Sequence, residues 1–175
     1  TDARDAAHLT RLLRLGEIAA VTVPDREIEA ARDLVRARED ARMDLMRVRH
    51  RLSKMLLRRG RVYADGHAWT GVHETWLRRQ RFDDAHTAVA FDHYFDAVLT
   101  ATAARDRLDE EIGRAATLPQ FADTVNRLGC LRGISALTGL ALTVEIGDWT
   151  RFNGASIGAY VGLVPSEYSS GTSRV

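Results

Sequence analysis

Four groups of residues have the types and spacing to do chemistry. Asp2 and Asp5 stand three residues apart. On a helix that spacing puts both carboxylates on one side of the first turn, where they could hold a hard divalent cation such as Mg²⁺, which takes oxygen ligands. Acids that cap a helix or answer its dipole occupy the same positions, and spacing alone leaves both readings open. The second group is "LRGISALTGLALTVEIGD", in which Gly133, Ile134 and Ser135 join two helical stretches. A helix, a Gly-Ile-Ser turn and a second helix outline a helix-hairpin-helix, which aims backbone N–H groups at a phosphate without reading bases. An ordinary αα-hairpin has the same outline. In the third, "YSSGTSR", Ser169 and Ser170 precede Gly171. A serine beside glycine can expose its hydroxyl on a tight turn, but it is a weak nucleophile until a base or a metal activates it, and no histidine is near in sequence. A plain Ser-Gly-Thr loop is the reading that the local residues favour. The fourth is the run from Arg42 to Arg61, with eight bases against the single acid Asp44. Arg47, Arg51, Arg58 and Arg59 are its candidates for phosphate contact, since the planar guanidinium fork matches phosphate oxygens. The alternative is a solvated helix face.

Other chemistries are missing. The six histidines include no pair with the partners or spacing of a zinc site. No phosphate-binding Walker loop and no dinucleotide fingerprint is present. Cys130 is the lone cysteine, which excludes an internal disulfide and suits a reducing cytoplasm; a small buried apolar residue is the expectation for it. The hydrophobic share of 45% and the charged share of 28% are those of a folded chain. No apolar run approaches the ~18 residues of a membrane span, and no signal peptide opens the chain. The first residue is Thr1 rather than Met, so an earlier segment is expected.

These groups need elements to position them. Residues 1–16 read as a helix with Ala6, Leu9, Leu12 and Leu13 in a stripe and Gly16 as its stop. An extended segment runs to Pro24. From about Asp25 to Arg59 no Gly or Pro interrupts the chain. Ala31, Leu34, Arg38, Ala41, Leu45, Val48, Leu52 and Met55 follow steps of three and four, a heptad seam with Arg38 as its polar interruption. After a loop, "VHETWLRRQ" reads as a short helix. A second long helix is predicted over about Asp84–Ala116, with Phe91, Phe95, Val98, Thr102, Arg105 and Leu108 along its face. The two long helices predict an antiparallel hairpin. Beyond it, short helices start at Pro119, at Ser135 as N-cap, and near Gly154. Trp69, Trp76 and Trp149 are expected to pack.

In this order, "TDARDAAHLTRLL", "VPDREIEAARDLVRAREDAR" and "LRGISALTGLALTVEIGDWTRFNGASIGAYVGLVPSEYSSGTSR" resemble the DEDD-type insertion-sequence transposases. This is the IS-one-ten family, relatives of the Piv DNA invertases and known as bridge-RNA-guided recombinases. The resemblance covers nearly the whole chain and is most specific in the last block. It implies a mainly α chain in three parts. Residues 1–23 would be the tail of a RuvC-like domain, 24–116 a long antiparallel coiled-coil hairpin, and 117–175 the first part of a small, helix-hairpin-helix-like transposase domain. It further implies that Asp2 and Asp5 are the third and fourth acids of a Mg²⁺ site whose first two acids lie upstream. Ser170 would be the recombinase nucleophile, with Ser169 in its place if the register slips by one. DNA and a structured guide RNA are the implied partners, with self-association through the coiled coil, in a bacterial cytoplasm at the nucleoid. As a fragment the chain would lack most of the RuvC-like domain and its C-terminal end, and would be inactive alone. A non-enzymatic nucleic-acid-binding helical module and a purely structural oligomerisation protein are the competing readings.

Overall fold

The computed structural model describes residues 2–17 and 23–163, and the backbone alone at 155, 169–170 and 173–174. It divides into two compact units, residues 26–145 and residues 1–25 with 146–175. The fold is mainly α.

The larger unit is built on α2 (Arg26–Arg58) and α4 (Ala85–Ala115). Both are uninterrupted for thirty-odd residues, and at 1.5 Å per residue each is about 45–50 Å long, so they can pair along their whole length. Glu27 and Glu29 in the first turn of α2 answer its dipole. Gly60 ends the helix at φ +67°, where the N–H groups of Arg61 and Gly60 donate to the carbonyls of Leu56 and Leu57. This is the Schellman closure that the sequence "RRG" permits. Asp84 caps α4: its Oδ1 accepts from the N–H and the hydroxyl of Thr87 at 2.7 and 2.8 Å.

The seam closes inside the chain. Leu45, Val48, Leu52, Met55 and Leu56 of α2 meet Phe91, Phe95 and Val98 of α4, together with Leu77 of α3 (Gly71–Arg78). Toward the start of α2, Ala31 shares a second core with Ile112 near the end of α4. Early α2 against late α4 means an antiparallel hairpin. Arg38, the polar break in the heptads, lies opposite Asp109, with Nε–Oδ1 at 2.6 Å and Nη2–Oδ2 at 3.4 Å. Trp69 and Trp76 pack on the first core.

The second core is completed by α5 (Pro119–Gly129) and α6 (Ala136–Ile146) through Phe121, Val125, Leu140 and Val144. Proline at the first helical position suits α5, whose first N–H groups have no partner within the helix. Gly139 brings the two helices close: a Cβ there would stand 3.1 Å from Val125 Cγ1. Arg32 Nε donates to the Val144 carbonyl at 2.6 Å, and Arg36 forms a two-point pair with Glu145 at 3.0 and 3.1 Å. Cys130 is exposed, not buried as its residue type suggested. It lies five residues past Val125, and at 3.6 residues per turn that points it away from the Phe121–Val125 face.

In the smaller unit, α1 (Asp2–Leu15) buries none of its residues, and Leu9 and Leu13 of the predicted stripe are exposed. A single 3-10 turn (Trp149–Arg151) precedes α7 (Gly154–Tyr160). Asn153 and Ser156 cap α7 reciprocally, each side chain accepting the other's N–H at 2.9 Å. Arg151 sits over the rings of Phe152 and Tyr160, at 4.6 and 5.0 Å, and donates to the Ile146 carbonyl. Strands β1 (Ser169–Ser170) and β2 (Ser173–Arg174) pair antiparallel, Ser169 with Arg174 and Ser170 with Ser173.

Candidate nucleic-acid interface

The basic run occupies the C-terminal half of α2. At 3.6 residues per turn, Arg47, Arg51, Lys54 and Arg58 fall on one stripe, about a third of a turn from the Leu45–Met55 seam. All four are exposed. Arg47 is paired with Asp44 at 2.8 Å, a surface pair worth ~0–1 kcal/mol that a phosphate can displace. Among the described residues no carboxylate pairs with Arg51, Lys54, Arg58 or Arg59. Lys54 was not among the residues singled out from sequence. The signal was there in its spacing, three from Arg51 and four from Arg58.

The hairpin tip adds cations that a linear reading of α2 misses. Arg58 and Arg59 line an open groove with His86 and Asp84 at the start of α4. The Thr87 hydrogen bonds hold the Asp84 carboxyl below its ordinary pKa, and the Arg59 charge adds to the effect. Its negative charge therefore persists, capping α4 and offsetting part of the positive charge of Arg58 and Arg59 beside it. Arg61 reaches the carbonyl of Arg81 and lies 5.8 Å over Phe82. Arg79 is exposed and has no ion-pair partner among the described residues. The connection "RRQRF" thus meets Arg61, just past the end of α2, although some twenty residues separate them in sequence. With both helices continuous to their capped ends, the result is a positive surface suited to backbone phosphates.

At the other end of the same unit, Gly133 takes φ +91° and Ser135 caps α6, its Oγ accepting the Thr138 N–H at 3.4 Å. Both residues are exposed. The segment is thus helix, Gly-Ile-Ser turn, helix, the outline that a helix-hairpin-helix shares with an ordinary αα-hairpin, with the N-terminus of α6 at the surface.

Asp2 and Asp5 lie in the first turn of α1, both exposed. They are oxygen donors of the kind Mg²⁺ takes, and an ion that keeps several waters needs only one or two carboxylates from one segment. The pair therefore fits part of such a site. No cluster of three or more His, Cys, Asp or Glu placed to hold a metal occurs among the described residues. Ser169 and Ser170 are located by their backbone ladder. Gly171, on which the nucleophile reading leaned, lies outside the described residues. The arginine stripe belongs to the larger unit, and Asp2, Asp5 and Ser170 to the smaller. No helix among the described residues is long and apolar enough to cross a membrane.

Comparison with known proteins supplies a family. Residues 125–175 match the family described as Transposase IS116/IS110/IS902. A Sinorhizobium fredii protein named as a transposase (y4qE) is 36% identical over 98% of this chain and 41% of its own length. The transposase for insertion sequence element IS1533 of Leptospira borgpetersenii is 34% identical over 85% of this chain and 44% of its own length. No solved structure matches. The chain thus spans less than half the length of these two relatives, and the matched stretch contains the α5–α6 turn and the Ser169–Ser170 strand. It belongs to the IS110 family of transposases.

Proposed function

We propose that this chain acts in DNA transposition, as part of a transposase that breaks and rejoins DNA through a serine. The observation that carries the reading is the family match over residues 125–175, which includes Ser170. In this reading the Ser170 hydroxyl attacks a DNA phosphorus. The O–P bond to serine forms as the bond to the departing sugar oxygen breaks, and that oxygen leaves with a proton. The phosphoserine keeps the bond energy, so a second DNA hydroxyl can displace serine and reseal the strand without another energy source. Asp2 and Asp5 would hold Mg²⁺, whose chemistry is to stabilise charge on phosphate oxygens. The chain's own part is to present two carboxylates on one helix turn and a serine on a short ladder.

The arginine stripe of α2, with Arg58, Arg59 and Arg79 at the tip, would hold nucleic-acid phosphates, including those of a structured guide RNA. Phosphate contact positions without specifying, which suits a protein whose target sequence is chosen by a guide. Gly133 and Ser135 would present the α6 N-terminus to another phosphate. Self-association through the hairpin belongs to the same reading.

The test is a denaturing gel for a covalent protein–DNA adduct, using the transposase at the relatives' full length. Adduct is expected with the native serine and none with Ser170→Ala. Loss with Ser169→Ala instead would move the nucleophile by one residue. An adduct that survives both substitutions would remove serine from the chemistry.

A further inference from the structure

Between α2, α3 and α4 lies a cavity of about 230 Å³. Its walls are largely hydrocarbon, from Leu77, Phe95, Val98 and Leu99, and Arg49 is the cation among them. The guanidinium lies 5.0 Å over the Trp69 ring, and its Nε is buried with no hydrogen-bond partner. Asp106 also lines the cavity but is bonded to Arg105. Burial, then the neighbouring Arg105 charge, holds the Arg49 pKa below its ordinary value, with the Asp106 charge partly opposing them. A half-buried cation with an unsatisfied donor is costly until an acceptor arrives. Trp69 is held beneath it at φ +68°, a backbone state that bulky residues rarely adopt. The Trp69 N–H donates to His73 Nδ1 at 3.1 Å. The aromatic floor and the cation above it are therefore set before anything binds.

A free phosphate suits this space poorly, because hydrocarbon walls would strip its hydration. At about 30 Å³ per water the cavity holds on the order of seven or eight water volumes, which is room for one heteroaromatic base. We propose that it takes a single unpaired guanine base from a nucleic-acid strand lying on the hairpin. Guanine offers O6 and N7 as adjacent acceptors, the pair that an arginine fork matches. The same lining holds two carboxylates, Glu74 and Asp106, which keep acceptor capacity beyond their arginine partners and match guanine's N1–H and N2–H₂ donors in kind. Neither adenine nor uracil presents that combination. Thr70, Ala103 and Asp106 are exposed and form the mouth. The inference rests on the reading of the hairpin as a nucleic-acid surface.

Fluorescence anisotropy with three probes tests it: a short labelled oligouridylate, the same strand with one central guanosine, and a duplex RNA. The guanosine should tighten binding about tenfold. Arg49→Lys keeps the charge but loses the planar fork, and Ala103→Leu narrows the mouth without touching Arg49. Each should erase the guanosine preference and leave duplex binding unchanged, with thermal melts confirming that both variants fold. Arg51→Ala with Arg58→Ala should weaken all three probes alike. A deoxy version of the strands identifies the source: preference with both sugars points to the base alone, and preference with RNA alone adds a ribose contact. Duplex binding without a guanosine preference, or a preference that survives both cavity variants, overturns the pocket. Failure of all three probes to bind overturns the nucleic-acid reading and the pocket with it.

Discussion

His73 lies in an aromatic cluster that its neighbours in sequence do not announce. It is buried, stacks on Trp76, meets Tyr63 and Trp69 edge-on, and accepts the Trp69 N–H at Nδ1. An accepting Nδ1 requires the neutral ring with its proton on Nε2. Burial, then the Arg49 charge, lowers the His73 pKa below its ordinary value. The unfolded chain therefore binds the proton more readily than the folded one. Stability from this site is complete above the ordinary histidine value of about 6.5 and is lost as pH falls from there through the lowered folded value. Thermal melts between about pH 7.5 and 5 should show Tm falling with pH. In His73→Asn the amide oxygen can still accept from Trp69 without titrating, so the fall should be shallower. Equal slopes in the two proteins would remove His73 as the titrating group.

At the scale of elements, Arg38 shows how a heptad tolerates an interruption. Its pairing with Asp109 is half-buried, and Arg105 approaches the same carboxylate at 3.6 Å. Removing one partner leaves the other poorly satisfied, so Arg38→Leu should cost about 1–3 kcal/mol in denaturant unfolding. The double variant Arg38→Leu, Asp109→Leu should recover most of that, because two apolar side chains pack where two charges paired. A double variant no better than the sum of its singles would mean that the pair is not coupled. The long helices and the seam were legible in sequence because local periodicity dictates them. Pro24, Gly60 and Asp84 bound the helices, and Leu45, Val48, Leu52 and Met55 line one face. Three features were not legible. The meeting of Arg49, Trp69 and His73 depends on how α3 folds back against the hairpin, which no local pattern encodes. The contribution of Arg79 to the basic tip needs the same knowledge. Cys130 was misread because residue type is a weaker guide to burial than angular position on a helix. Of the candidate site, the arginine run was legible as a charge bias on one stretch, while the roles of Asp2, Asp5 and Ser170 came from the resemblance rather than from their spacing.

At the scale of the whole molecule, the seam bears on how copies of the protein could associate. A heptad pattern read by itself asks for a partner helix, and the hairpin supplies one from within: Leu52 has no exposed surface, and its neighbours in the core are Phe91, Phe95 and Leu77 of the same chain. Self-association, as proposed above, then has to use outward faces rather than the Leu45–Met55 seam. The two arrangements differ in mass action. A seam closed within one chain gives a Tm that does not depend on protein concentration through the seam, whereas a seam shared between chains raises Tm as concentration rises. Leu52→Ala should therefore cost about 2–5 kcal/mol, as for other large-to-small changes at fully buried leucines. The loss should be the same at every protein concentration, and any oligomer seen by sedimentation should persist in the variant under conditions where it stays folded. If Leu52→Ala instead dissociates a wild-type oligomer, and the wild-type Tm climbs with concentration, the seam joins two copies of the chain and the hairpin exchanges its partner helix between them.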